Sequence, residues 1–128
     1  IALVEGSITS DEHYKEILHI RKQAKTLIAL GDCAVMTNVT GMRNYFDLKE
    51  VVDAAYVNAV SNDDKGELPN HPCLLRLNDK VVPLQEVVKV DFVIPGCPPD
   101  ADTIFYVLAE FLNDRLPDLG KTKKLKYG

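Results

Sequence analysis

The sequence predicts a three-layer α/β domain with a mainly parallel sheet. Three short apolar runs alternate with amphipathic helical patterns along the 128 residues, and this alternation is typical of βαβ units. The runs are continuously apolar, without a regular change of polarity, which indicates strands that are buried on both faces. Each run also ends in a short turn that contains glycine, so the carboxyl end of each strand is well marked.

The first strand is predicted at residues 1–4, where Ile-Ala-Leu-Val is followed by the polar turn at residues 5–7. A helix is expected roughly over residues 10–24. Its start is predicted from Thr9 and Glu12, which have the spacing of a capping box. A strand followed directly by a helix is the first half of a βαβ unit.

A second buried strand is predicted at residues 26–30, and residues 34–46 are predicted to form a loop because they contain Gly41 and two asparagines. The next helix is expected to begin after Asp47, which again has capping-box spacing to Glu50. Apolar residues then recur at helical spacing: Leu48, Val51, Val52, Ala55 and Ala59.

Residues 61–80 are polar and rich in turn-forming residues, and a long surface loop is predicted there. The third strand is predicted at residues 92–94, with an extension back to residue 87 as an alternative. A final helix is expected over about residues 100–113, and the basic tail at 117–128 is expected to be poorly ordered. The side chains that this final helix is expected to bury are Ile104, Val107, Leu108, Phe111 and Leu112.

The chain opens directly on a strand pattern, without an initiator methionine. We therefore expect one domain over residues 1–128 that is incomplete at its amino terminus. The three strands are interpreted as the core of a flavodoxin-like sheet from which the first βα unit is missing.

Composition excludes several classes of function. The net charge of −4 gives no basis for binding nucleic acid, and the longest apolar runs are far too short to cross a membrane, so the protein is not expected to be membrane-embedded. Three cysteines, an odd number, do not indicate a disulfide framework. A reducing compartment, the cytoplasm, is the expected location.

The cysteines that follow two of the strands are the candidate functional residues. Open parallel sheets bind ligands beyond the carboxyl ends of their strands, so Cys33 and Cys97 are expected to lie close together. Thiolates are the ligands that iron–sulfur clusters require, although a single buried cysteine is more often a small apolar side chain. Pro98 and Pro99 lack a backbone N–H and stiffen the chain after the second cysteine. Cys73 lies in the polar loop and is expected to be structural.

Three segments in this order resemble the small subunits of nickel–iron hydrogenases: Val4-Glu5-Gly6-Ser7-Ile8, Gly31-Asp32-Cys33-Ala34 and Pro95-Gly96-Cys97-Pro98-Pro99. Further similarity to the bidirectional, NAD-reducing group lies in Met42-Arg43-Asn44, Ala55-Tyr56-Val57-Asn58 and Glu86-Val87-Val88-Lys89. The resemblance covers essentially the whole chain.

This resemblance implies an electron-transferring subunit of a hydrogenase, with one proximal 4Fe–4S cluster. Cys33 and Cys97 match the third and fourth cysteine ligands of that family, and two further cysteines are expected before Ile1. The residues then expected to surround the cofactor are Gly6, Gly31, Ala34, Gly96 and Pro98.

The resemblance also implies partner subunits. A large subunit would hold the nickel–iron centre that cleaves dihydrogen reversibly, and diaphorase subunits with FMN and iron–sulfur clusters would reduce NAD. Glu5 is then a candidate for a proton or hydrogen-bond network, with a solvated or helix-capping role as the alternative. The basic residues Lys121, Lys123, Lys124 and Lys126 are expected to be solvated, or else to dock an acidic partner.

Two other functions stay open from the sequence. The cluster-bearing subunit of a quinone-reducing complex I shares the Pro-Gly-Cys-Pro-Pro segment, and it is the main alternative. A flavodoxin-like binding module without a cluster is a third possibility, because only three cysteines are present.

Overall fold

The computed structural model describes residues 1–121 and residue 125, and it confirms the α/β class. Five strands are present in this part of the chain: β1 (Ala2–Glu5), β2 (Ile8–Ser10), β3 (Leu27–Leu30), β4 (Leu77–Val82) and β5 (Phe92–Ile94). Four α-helices accompany them: α1 (Asp11–Gln23), α2 (Gly31–Met36), α3 (Leu48–Val52) and α4 (Ala101–Leu112). Short 3-10 helices cover Asn38–Tyr45 and Leu84–Glu86, and a π-helical turn covers Asp53–Val57.

The central sheet is parallel and has the order β1-β3-β5. Its middle strand, β3, sends alternate side chains to two separate hydrophobic clusters. Leu27 and Ala29 pack with Ile17 of α1 on one face, whereas Ile28 packs with Val107 of α4 on the other. Helices therefore cover both faces, which confirms the predicted three layers.

The outer strands differ from the predicted doubly buried pattern. β1 pairs only with β3 in the described chain, and Leu3 on β1 is exposed, as is Val93 on β5. The strand that was predicted as the third is β5, and it is limited to Phe92–Ile94, because the chain before it forms a 3-10 helix that buries Leu84.

The N-cap of α1 lies one residue later than predicted. Ser10, and not Thr9, is the N-cap: its hydroxyl accepts a hydrogen bond from the His13 backbone N–H at 3.3 Å. Residues 8–10 pair with β4 as the strand β2, so Ser10 already has the extended conformation that an N-cap needs. The Thr9 hydroxyl lies 3.0 Å from His13 Nδ1 instead.

The loops predicted at 34–46 and 61–80 are partly wrong. Residues 31–36 form α2 and residues 38–45 a 3-10 helix, while residues 77–80 belong to β4, which is antiparallel to β2. The Asn44 side chain holds these pieces together: its Nδ2 donates to the Val81 carbonyl at 2.8 Å, and its Oδ1 accepts from the Val81 N–H at 2.7 Å. The Asn44 side chain thus makes the two hydrogen bonds to Val81 that the backbone of a neighbouring strand would otherwise make.

The helix after Asp47 is present but shorter than the predicted apolar stripe. The Asp47 side chain caps α3 by accepting from the Lys49 N–H at 2.8 Å. The chain then continues as a π-helical turn, and none of residues 48–57 is fully buried. The stripe is therefore half-buried in this chain, apart from Ala55, which is exposed.

The last helix begins where predicted, since Asp100 caps α4 through the Thr103 N–H at 2.8 Å. Leu112 was expected to be buried but is 77% exposed. Leu119 is buried instead: it is 6% exposed and packs in the hydrophobic cluster that contains Val107 of α4. Residues 117–119 are therefore not the poorly ordered tail that was expected. Lys123, Lys124 and Lys126 lie outside the described residues, whereas Lys121 pairs with Asp118 at 3.3 Å. No helix in the described part is long and apolar enough to cross a membrane.

Candidate cluster site

A cavity of about 490 Å³ lies at the carboxyl ends of the three parallel strands. Each strand contributes the residues that directly follow it, as expected for an open parallel sheet. Its lining consists of Glu5, Gly6, Leu30, Gly31, Asp32, Cys33, Gly96, Cys97, Pro98, Pro99 and Ile104.

The register of the sheet brings the two cysteines together. In the β3–β5 pair, Ile28 lies opposite Phe92 and Leu30 opposite Ile94, so paired residues are 64 positions apart in the sequence. Asp32 and Gly96, which are also 64 positions apart, are joined by hydrogen bonds beyond the strands. The same offset separates the residues one step further along, Cys33 and Cys97. Two thiols that are distant in sequence therefore line one cavity.

A reciprocal pair of hydrogen bonds joins the two cysteine-bearing turns. The Asp32 backbone N–H donates to the Gly96 carbonyl at 2.9 Å, and the Gly96 N–H donates to Asp32 Oδ1 at 2.6 Å. Asp32 is 3% exposed, so a carboxylate occupies the interior directly beside Cys33. A buried carboxylate needs such partners, because losing water is costly for a charged group.

The turn after β5 leaves no room for a side chain at Gly96. Its φ angle is +135°, and a Cβ atom built there would lie 2.7 Å from Pro99 Cα and 2.8 Å from Pro99 N. One residue further along, the Cys97–Pro98 peptide bond is cis. Tight wrapping of the backbone around Gly96 therefore places Cys97, Pro98 and Pro99 along the cavity wall.

The structure brings most of the predicted site residues to this cavity, with one exception. Ala34 is fully buried in the core between α2 and β3 and does not line the cavity. Asp32 and Pro99 line it although sequence reasoning did not select them. An aspartate between the glycine and the cysteine of a strand end is the available signal for Asp32. Its burial depends on the position of Gly96, which the sequence alone does not reveal.

The donors fit an iron–sulfur cluster in kind but not in number. Cys33 is half-buried, Cys97 is exposed, and both are free thiols, the soft ligands that such clusters take. Among the described residues, no three His, Cys, Asp or Glu side chains are grouped so as to hold a metal ion. Cys73 is exposed, far along the polar loop, and is not part of the cavity lining. Its exposure gives no support to the structural role that was expected.

A second surface feature is an apolar groove of about 630 Å³ beside α3. Met42 and Phe46 on this groove are each about 60% exposed, which is unusual for large apolar side chains grouped together. Arg43, which also lines the groove, forms a hydrogen bond to β2, since its guanidinium donates to the Thr9 carbonyl at 3.3 Å. The groove lining is completed by Glu50, Val51, Ala54 and Ala55.

Comparisons with known proteins agree with this architecture. The chain is 45% identical over 121 residues to the NAD-reducing hydrogenase HoxS subunit delta of Cupriavidus necator, covering 93% of this chain and 58% of that protein. It is 35% identical over 123 residues to a subunit of the F420-non-reducing hydrogenase of Methanothermobacter marburgensis, covering 95% of this chain and 40% of the relative. The chain thus spans about half the length of these curated relatives.

A solved structure has the same fold. The crystal structure of an NAD+-reducing NiFe-hydrogenase in the H2-reduced state superimposes with a TM-score of 0.91 and 29% sequence identity, over 97% of this chain and 69% of that chain. Residues 1–111 match the family described as NADH ubiquinone oxidoreductase, 20 Kd subunit. By this match over most of its length, the chain belongs to the NADH ubiquinone oxidoreductase 20 Kd subunit family.

Proposed function

We propose that this chain is part of the electron-transferring small subunit of an NAD-reducing nickel–iron hydrogenase. The observation that carries the proposal is the register of β3 and β5, which places the Cys33 and Cys97 thiols on the wall of one cavity. A bound 4Fe–4S cluster would supply one-electron transfer. Two thiols provide half of its ligands, and the other two are proposed to be cysteines that precede Ile1.

The residues of this chain act in the proposal as holders of the cofactor. Cys33 and Cys97 bind it. Gly31 and Gly96 let the two cysteine-bearing turns lie close together, because a Cβ atom at Gly31 would face the Gly96 carbonyl oxygen at 3.5 Å and one at Gly96 would collide with Pro99. Gly6 and Pro98 shape the remaining wall. Apolar side chains from Leu30 and Ile104 limit the access of water, which affects the reduction potential of such clusters.

Glu5 is proposed to connect the cavity with a proton or hydrogen-bond network. It is the last residue of β1, it is exposed, and it lines the cavity beside Leu30 of β3. A carboxylate at this place accepts hydrogen bonds from water or from a neighbouring subunit. Hydrogen-driven activity of a Glu5→Gln variant that equals the wild-type activity would contradict this role.

The relatives support an assembly of several subunits. Two of the matched proteins are named as single subunits of hydrogenases, and the exposed apolar groove beside α3 is a surface that a monomer rarely leaves uncovered. We propose that the nickel–iron centre lies in a large subunit and that diaphorase subunits carry FMN and reduce NAD. A reducing, cytoplasmic setting suits the three free thiols. We also propose that residues 1–128 form one domain, to which a preceding βα unit adds.

The matched cysteines of this chain provide the test. The full-length subunit is produced with its partners as wild type and as Cys33→Ala, Cys97→Ala and Cys73→Ala variants. Iron content and the EPR spectrum of the reduced protein are measured, together with hydrogen-driven NAD reduction. The two cavity variants should lose the cluster signal and the activity, whereas Cys73→Ala should retain both. A Cys97→Ala variant with wild-type iron content and activity would refute the proposal, and a cluster-free binding module would then be favoured.

A second candidate is the cluster-bearing subunit of a quinone-reducing complex I. The observation in its favour is the family match over residues 1–111, because that family is described by a ubiquinone oxidoreductase subunit. The same purified assembly distinguishes the two. Reduction of a quinone by NADH without any hydrogen uptake would support the second candidate, and hydrogen-driven NAD reduction would exclude it.

A further inference from the structure

The β3–β5 strand pair carries the same hydrogen-bond arrangement at both ends, made by one aspartate each. At the amino end, the Asp91 N–H donates to the Leu27 carbonyl at 2.9 Å, and the Leu27 N–H donates to Asp91 Oδ2 at 2.9 Å. At the carboxyl end, Asp32 and Gly96 make the equivalent two bonds, at 2.9 and 2.6 Å. Each aspartate therefore binds the neighbouring strand through its backbone and its side chain together.

The two hydrogen bonds between Asp32 and Gly96 attach a turn that has few backbone hydrogen-bond donors of its own. Residues 95–99 are Pro-Gly-Cys-Pro-Pro, so only Gly96 and Cys97 have a backbone N–H. Gly96 is buried and so is Asp32, which means that water does not readily replace the bond between them. The regular strand pairing ends before this turn, at Leu30 and Ile94. The Asp32 carboxylate therefore continues the connection as far as the cysteines, together with the bond from the Asp32 backbone N–H to the Gly96 carbonyl.

We propose that Asp32 is a positioning residue, which fixes the separation of the Cys33 and Cys97 thiols by holding Gly96. The importance of that separation for a cluster rests on the proposed function above. Asp32 precedes one thiol in sequence and binds the residue that precedes the other. Groups that orient metal ligands without touching the metal strongly affect how well the metal is retained.

Three variants of the full-length subunit, assembled with its partners, test this role. Asp32→Ala removes the acceptor of the Gly96 N–H, and Asp32→Asn keeps an acceptor oxygen at the same place. Asp91→Ala removes the equivalent side-chain bond at the opposite end of the same two strands and also the ion pair with Arg21, so it does not underestimate the loss of sheet stability. It is therefore the matched control for a general loss of stability of the sheet.

The first measurement does not depend on a bound cluster. Hydrogen–deuterium exchange of the segment that contains Gly96 reports directly on its N–H. Exchange in Asp32→Ala should be about tenfold faster than in the wild type, as expected for the loss of one buried, charge-assisted hydrogen bond. It should stay within about twofold of the wild type in Asp91→Ala and Asp32→Asn. Unchanged Gly96 exchange in Asp32→Ala overturns the proposal, whether or not iron is bound.

The second measurement follows the loss of iron to an added chelator. Asp32→Ala should release iron about tenfold faster than the wild type, and Asp32→Asn should restore a rate within about twofold of it. Equal release from Asp32→Ala and Asp91→Ala would overturn the proposal, because the effect would then come from the sheet as a whole. A wild-type assembly that contains no iron would refute the proposed function instead, and the exchange measurement would still decide the role of Asp32.

Discussion

Replacing Gly96 by alanine is the most direct test of how the second cysteine is placed. The new Cβ would lie 2.7 Å from Pro99 Cα and 2.8 Å from Pro99 N, and both are backbone or ring atoms that have no rotamer to change. Overpacking of this kind costs about 1–3 kcal/mol. Alanine at a φ of +135° adds about 1–3 kcal/mol of backbone strain. Together, the free energy of unfolding should fall by about 2–6 kcal/mol.

Gly6 provides the matched control for this substitution. It also lines the cavity and has a φ of +77°, but a Cβ atom there would meet nothing within 4 Å. Gly6→Ala should therefore show only the backbone strain, about 1–2 kcal/mol. The difference between the two variants reports the contact with Pro99 together with the smaller difference in backbone strain.

The measurement is urea-induced unfolding of the full-length subunit, with iron content determined in parallel. Gly96→Ala should unfold at a clearly lower urea concentration than Gly6→Ala and should also bind less iron. Equal unfolding free energies for the two variants, within about 0.5 kcal/mol, would refute the conclusion that Gly96 is required by close contact between backbone segments.

Three further predictions concern the rest of the fold. The hydrogen bond from the Arg21 guanidinium lowers the pKa of Asp91 below its ordinary 3.8, so its contribution to stability is present above about pH 4 and is lost as the pH falls through the lowered value. Urea unfolding between pH 3 and pH 6, in wild type and Asp91→Asn, should give a flatter curve for the variant, and parallel curves would contradict this. Asn44→Ala should lower the unfolding free energy by about 2 kcal/mol, because the backbone N–H and the carbonyl of buried Val81 both lose their hydrogen-bond partner. A thermal midpoint equal to that of the wild type would exclude this. Leu27→Ala removes a fully buried side chain and should lower the unfolding free energy by about 2–5 kcal/mol. Leu112→Ala removes an exposed side chain and should change it by no more than about 0.5 kcal/mol. Similar losses for both variants would contradict the observed burial.

The parallel sheet could be predicted because its strands have a strong local signal. Leu27-Ile28-Ala29-Leu30 is apolar at every position, as expected for a strand covered on both sides. The β2–β4 pair has no such signal. β4 exposes three of its six residues and fully buries only Val81, and its sequence has neither a continuous nor an alternating apolar pattern. Its pairing depends on Asn44 and on β2, which are far away in sequence.

The candidate site could be predicted in outline for a similar reason. Glycine, cysteine and proline at strand ends are visible in the sequence, and the rule for open parallel sheets places strand ends together. The role of Ala34 could not be judged, since its neighbours in sequence lie at the cavity while α2 turns it into the core. Asp32 was missed because an aspartate next to a turn is usually solvated. Only the three-dimensional position of Gly96 makes it a buried partner.

The length of β5 explains why the ends of the strand pair matter so much. Three residue pairs join β3 to β5, and a slip of one residue would turn every side chain of β5 to the opposite face. Such a slip would also move Cys97 along the sheet by about 3.3 Å relative to Cys33 and would separate Asp32 from Gly96 and Asp91 from Leu27. Two aspartates therefore favour the same register from opposite ends, and only that register places both thiols in one cavity. Whatever binds the thiols consequently depends on the register of a short strand, and Asp32 is the aspartate that holds this register at the end where the cysteines lie, whereas Asp91 lies at the remote end.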